Sequence, residues 1–190
     1  MANVNAPFGF QHVGNVGGGA PTYQVMQGAE IAYNDTSALF TGDPVTLLGT
    51  GYITRATAGT TPVYGIFYGC SYLNPSTKRI EFSPYWPGVA IASTSTVNAI
   101  VVTDPNAEFM VQATSTNVGR SAIGANVQFT YTTGDTLSGQ SKCTVDTPNT
   151  TATLPFRVTR LETVRSDPTG TYNWVYVTFN NAYSRITTGI

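Results

Sequence analysis

The sequence predicts an all-β protein: a β-barrel or sandwich of short antiparallel strands, preceded by a flexible N-terminal arm. Three observations lead there. Short runs rich in Val, Ile, Thr, Tyr and Phe recur along the chain, many of them alternating polar and apolar. Turn signals separate the runs: GDP, GTG, NPST, TGD and DPTG. No stretch keeps a helical period for three turns. The best short-helix candidate, GRSAIGANV (119–127), carries two glycines, which oppose helix length.

The organisation follows in chain order. Residues 1–21 form the arm, because NVGGGAP (15–21) has the composition of a flexible linker. Within it APFGF (6–10) carries Phe8 and Phe10 without periodic neighbours, so both are candidates for docking onto a partner. Residues 22–190 form the β-rich domain. TYQVM (22–26), EIAY (30–33), PVTLL (44–48) and YITRA (52–56) are short strand candidates. VYGIFYGCSY (63–72) is the longest early run. Strict alternation puts Gly65, Phe67 and Gly69 on one face, and Tyr64, Ile66, Tyr68 and Cys70 on the other. The glycines invite close approach of another backbone or ring. KRIEFSP (78–84) follows the NPST turn. VNAIVVT (97–103) and AEFMVQA (107–113) flank DPN, so Asp104 reads as a turn residue accepting backbone N–H bonds. Alternation sends Phe109 and Val111 inward and leaves Glu108 to solvent or an interface. VQFTY (127–131), KCTVD (142–146), LPFRVTRLETV (154–164) and YNWVYVTFN (172–180) complete the strands, and no internal repeat connects them.

Composition excludes several classes of function. Nine Lys and Arg oppose ten Asp and Glu, a net charge of −1, so nothing steers the chain to nucleic acid or an anionic membrane. Charged residues make up 10% of the chain, against roughly 25% in an ordinary soluble protein. Such a surface suits a chain packed against other chains. No apolar run is long enough to span a membrane, and MANVNAPFGF lacks the basic and apolar regions of a secretory signal. The expectation is a protein made and used without export. Cys70 and Cys143 are too few for a disulfide framework and read as free thiols.

The search for chemistry finds little. The single histidine, His12, falls on the arm, a poor place for a catalytic base. The cysteines are 73 positions apart with no CxxC, so a zinc site lacks ligands. GNVGGG (14–19) has no βαβ unit around it. Asp104 and Glu108 are an acidic pair four residues apart. As acid and base of a β-hydrolase, or with Asn106 as calcium ligands, they are weak, because Asp104 belongs to a turn. Asp43 and Asp167 also precede prolines, which favours a recurring turn device. The expectation is no enzyme, no metal and no cofactor. SPYWPG (83–88) is the best binding candidate: two prolines hold Tyr85 and Trp86 extended, and closing one end of a barrel is an equal alternative for Trp86.

Taken in order, APFGF, FTGDPVTLLGTGYITRATAG, VYGIFYGCSY, FSPYWPG, VVTDPNAEFMVQ and ATLPFRV resemble the capsid cement, or decoration, proteins of tailed bacteriophages. The resemblance spans nearly the whole chain except NNAYSRITTGI (180–190). It rests on turn and core motifs and transfers no residue-level site. It implies a non-enzymatic β-rich protein on the outer capsid surface of the virion, made in the host cytoplasm. Its partners would be the major capsid protein and itself, as a homotrimer in preference to a dimer, with no nucleic acid and no membrane. The alternative is a carbohydrate- or receptor-binding module of a phage tail fibre, with Tyr85 and Trp86 as sugar platforms.

Overall fold

The computed structural model describes residues 2–20, 29–59, 62–114 and 117–185. The run expected as a strand at 22–26 lies outside the described residues, as does the end of the chain beyond 185. The described chain is all-β. In order the strands are β1 (Gln11–Asn15), β2 (Glu30–Ile31), β3 (Leu39–Phe40), β4 (Pro44–Leu47), β5 (Ile53–Arg55), β6 (Gly65–Leu73), β7 (Ile80–Ser83) and β8 (Tyr85–Trp86). They continue with β9 (Val97–Val102), β10 (Ala107–Gln112), β11 (Asn126–Val127), β12 (Phe129–Thr130), β13 (Thr144–Val145), β14 (Phe156–Leu161) and β15 (Trp174–Phe179). The helix candidate at 119–127 is one 3-10 turn, Arg120–Ala122.

Two sheet systems form. The first is a five-stranded antiparallel sheet in the order β1-β10-β15-β14-β11, with β12 and β13 paired beside it. The second runs β4-β5-β2-β9-β6, and an additional β4–β6 pairing closes those five strands into a ring. Closure removes the edges that open sheets expose. β7 stands outside the ring and, among the described residues, pairs only with the far end of β6. Each system has its own core. Phe109, Phe156 and Phe179 anchor the first, and Ile31, Ile53, Phe67 and Trp86 the second.

The arm is where the structure departs most from expectation. Gln11–Asn15 is a strand that pairs with β10, and Phe10 is 1% exposed, stacked 4.4 Å from Phe156. The glycine run that marks a linker begins only at Gly17, so composition said nothing about the residues before it. Tyr68 clamps the entry. Its hydroxyl accepts a bond from the His12 N–H and donates one of 2.9 Å to the Phe10 carbonyl. Upstream, Gln112 straps the segment: its amide donates to the Val4 carbonyl at 2.8 Å and accepts from the Ala6 N–H at 3.0 Å. Asn3 bonds the Asp167 and Thr171 carbonyls, both at 2.9 Å.

Two bulges reorder the faces that alternation assigned. In β6 the register shifts at Gly69, whose φ is +142°. One extra residue in a strand reverses every later side chain. Cys70 and Tyr72 therefore join Phe67 in the core of the ring, where Cys70 was expected to face away from Phe67. In β14 the shift between Val158 and Arg160 brings Thr159 and Arg160 to the same carboxylate, that of Glu108.

Candidate interaction surface

An open apolar surface lies on the β6–β7 hairpin, and the sequence explains its shape. Asn74 opens the turn. Its side-chain oxygen accepts from the Ser76 N–H at 2.8 Å and the Thr77 N–H at 3.2 Å, an Asx turn. Lys78 takes a positive φ of 56° and donates its N–H to the Asn74 carbonyl at 2.9 Å. Glu81 then locks the hairpin from the strand. Its carboxylate accepts from the Asn74 amide at 2.8 Å and the Thr77 hydroxyl at 2.9 Å, and these bonds hold it below its ordinary pKa.

That lock fixes which face of β7 turns outward. Glu81 lies on one face, so Ile80 and Phe82 lie on the other. Ile80 is 70% exposed and Phe82 84%. Leu73, opposite Ile80 on β6, extends the patch. The backbone is open as well. Asn74 donates its N–H to the Arg79 carbonyl at 2.9 Å, which makes that pair hydrogen-bonded. Antiparallel pairs alternate, so Tyr72 and Glu81 are bonded, while Ile80 and Phe82 turn their N–H and C=O groups away from β6. Among the described residues no further strand of the sheet lies beyond them. An edge with exposed large apolar side chains and unpaired backbone groups is a template for another chain. In the sequence, KRIEFSP was legible as a strand only. Periodicity alone does not say which face is buried, and the Asn74–Glu81 bond that decides it is a tertiary fact.

The residues singled out for binding lie elsewhere. Phe10 is sealed in the core of the first sheet, and Trp86 is 0% exposed in the core of the ring. Trp86 meets the Tyr72 ring edge-on at 5.0 Å and donates its indole N–H to the Asp35 carbonyl at 3.2 Å. Phe10 and Trp86 were expected at a binding surface, and in this structure their side chains are packed inside the fold instead. Apolar aromatics flanked by Gly and Pro look alike in sequence whether a core or a partner receives them. Phe8 and Tyr85 are half-buried: Phe8 stacks on Trp174 at 4.3 Å, and Tyr85 on Phe40 at 5.6 Å.

The acidic pair is likewise divided. Asp104 caps its turn, its Oδ1 accepting from the Asn106 N–H at 2.8 Å, as the DPN pattern implies. Asp167 does the same for the Thr169 N–H at 2.9 Å. Asp43 accepts from the Phe40 N–H at 2.9 Å but is fully buried, which pushes its pKa up. Glu108 was expected at solvent or an interface. It is 7% exposed, ion-paired to Arg160 at 2.7 Å and bonded to the Thr159 hydroxyl, also at 2.7 Å. Among the described residues that is the one salt bridge, and no group of three or more His, Cys, Asp or Glu side chains could hold a metal. Cys70 and Cys143 are buried free thiols. Burial pushes Cys70 up to about 12, and Cys143 donates to Asp43 at 3.3 Å.

His12 yields a testable pH dependence. It is buried on β1, with Nε2 3.0 Å from the Gly14 carbonyl, and burial lowers its pKa from the ordinary 6.5. Above that value His12 is neutral folded or unfolded and contributes no pH dependence. As pH falls below it, the unfolded chain takes the proton first, so stability is lost down through the lowered folded value. Urea midpoints recorded from pH 8 to pH 5 should fall more for the native chain than for His12→Gln. Parallel curves would show that His12 is not the sensor.

Compared with protein-family models, curated proteins and solved structures, the chain has no match.

Proposed function

We propose that this chain is a non-enzymatic structural protein that binds the outer surface of a tailed-phage capsid and stabilises the mature shell. The observation that carries the reading is the β7 edge, where Ile80 and Phe82 offer both apolar side chains and unpaired backbone groups to another protein. The low charge supports it, since a surface rich in Thr, Ser, Asn and Tyr packs against protein without stripping water from many ions. The resemblance in turn and core motifs supplies the capsid. Binding several capsid subunits at once through an oligomer would multiply affinity by roughly 10² to 10⁴. Preference for the mature shell over other states then stabilises that shell by mass action. The sugar-platform alternative loses its main residue, because Trp86 is sealed in the core.

The test uses particles stripped of this protein. They should lose their genome at a lower temperature than decorated particles, and adding the protein back should restore the original value. Phe82→Asp should fold normally yet fail to restore it. Raising salt from ~50 mM to ~500 mM should change rebinding only modestly, because few ion pairs are available to be screened. If stripped and decorated particles release their genome at one temperature, the stabilising role is wrong.

A further inference from the structure

We infer that the β7 edge pairs with the β7 edge of a second copy of this chain, antiparallel and about a two-fold axis at Glu81. This deepens the reading above by assigning that surface a partner, and it rests on that reading only for the purpose of the dimer.

Self-complementarity identifies the occupant. With the axis at Glu81, Ile80 lies opposite Phe82 of the partner subunit, and Phe82 opposite the partner's Ile80. Both residues already turn their backbone groups outward. Each cross-strand pair exchanges two N–H···O=C bonds, so the four open donors and four open acceptors of the two strands satisfy one another. On the outer face each pairing sets a β-branched side chain against an aromatic one, a stabilising combination across strands. The charges are mixed: two Glu81 carboxylates facing each other repel, and an Arg79 beside each offsets that repulsion. Arg79 and Glu81 share the opposite face of β7, and Arg79 is exposed. Across the axis, Arg79 reaches diagonally to Glu81 of the partner subunit, within range of a long side chain. The two Glu81 carboxylates face each other, each already held by its own Asn74 and Thr77, with an Arg79 on its flank.

Neighbouring registers fit less well. An axis at Phe82 sets Ile80 opposite Pro84, which has no N–H to give, and whose carbonyl already accepts from the Thr41 hydroxyl at 2.6 Å. An axis at Ile80 sets Phe82 opposite Lys78, whose N–H is spent on Asn74. A two-fold contact of this kind is isologous and closes after two copies, which makes a dimer where the resemblance favours a trimer.

Cysteine crosslinking and sedimentation test the proposal together. At a non-hydrogen-bonded antiparallel pair the Cα atoms sit about 4.5 Å apart, within disulfide range. Glu81→Cys should therefore crosslink under mild oxidation at least ten times faster than Leu137→Cys, a fully exposed control. The native Cys70 and Cys143 are buried and give a low background. Glu81→Cys also removes the hairpin lock, so a second measurement leaves that residue intact. At about 100 µM, suited to a small and weak contact, the native chain should sediment as a dimer. Phe82→Asp and Arg79→Glu should sediment as monomers with unchanged circular dichroism. A native monomer, or Glu81→Cys crosslinking no faster than the control, overturns the self-pairing. If that occurs while Phe82→Asp still fails to rebind stripped particles, the edge belongs to the capsid protein and the proposed function stands. A dimer whose addition leaves genome release unchanged has the reverse meaning: the pairing stands and the capsid role falls.

Discussion

Phe10→Ala is expected to remove about 3–5 kcal/mol of folding stability, the range for deleting a fully buried aromatic ring. Phe10 is stacked 4.4 Å from Phe156 and meets Phe109 edge-on at 6.4 Å. Its neighbours are held by the sheet and cannot collapse into the space it leaves. Alanine keeps the backbone bonds at this position, the carbonyl accepting from Tyr68 and the N–H donating to the Gly42 carbonyl at 3.0 Å, so the loss is that of the ring. A small domain has roughly 5–15 kcal/mol in total, so the variant should unfold at a much lower urea concentration. Phe8→Ala removes a half-buried ring and should cost clearly less. A Phe10→Ala loss below about 1 kcal/mol would mean that the N-terminal segment is not part of the core.

Trp86→Ala should cost a similar amount, about 3–5 kcal/mol, from the other core. Here the packing loss comes with a polar one. Removing the indole leaves the Asp35 carbonyl without its 3.2 Å partner, and Tyr72 without the ring it meets edge-on. Trp86→Phe keeps most of the volume and isolates the polar part, expected at about 1–3 kcal/mol. Phe10 and Trp86 belong to separate clusters, so the two losses should add, and the double variant should have little stability left. Unchanged stability in Trp86→Ala would contradict its burial.

What the sequence revealed depended on how local the deciding interaction was. The run that became β9 is rich in β-branched side chains, the run that became β10 alternates polar and apolar, and those that became β14 and β15 are six residues long with Val and Thr among aromatics, so their positions were legible. The Asp104 turn was legible because Asp, Pro and Asn specify it without help from elsewhere. β3 and β8 are two residues each and exist only because they pair with each other. β1 carries no strand signature: Gln11, His12 and Gly14 become a strand because Phe10 is buried and β10 offers an edge. Faces were harder than positions. A single bulge at Gly69 reversed Cys70, and the bulge at Thr159 drew Arg160 over Glu108. Of the candidate surface only the strand was legible, and the outward direction of Ile80 and Phe82 is revealed by the Asn74–Glu81 bond.

The pairing of β1 with β10 also sets the order of events during synthesis. β1 ends at Asn15, yet its partner begins at Ala107, and the next strand in that sheet, β15, ends at Phe179. A ribosome releases about 5–20 residues per second, so Phe10 waits several seconds for the strand that will cover it. The five-stranded sheet cannot close until almost the whole described chain has emerged. Pairings this distant in sequence fold slowly, because loop closure costs entropy before any contact repays it. The β6–β7 hairpin is local and can form long before that closure. Its apolar edge is then exposed on a half-made chain, where a neighbouring nascent copy is the nearest strand available. Fast elongation at high expression should therefore favour premature association, and slower synthesis at reduced temperature should raise the yield of soluble protein.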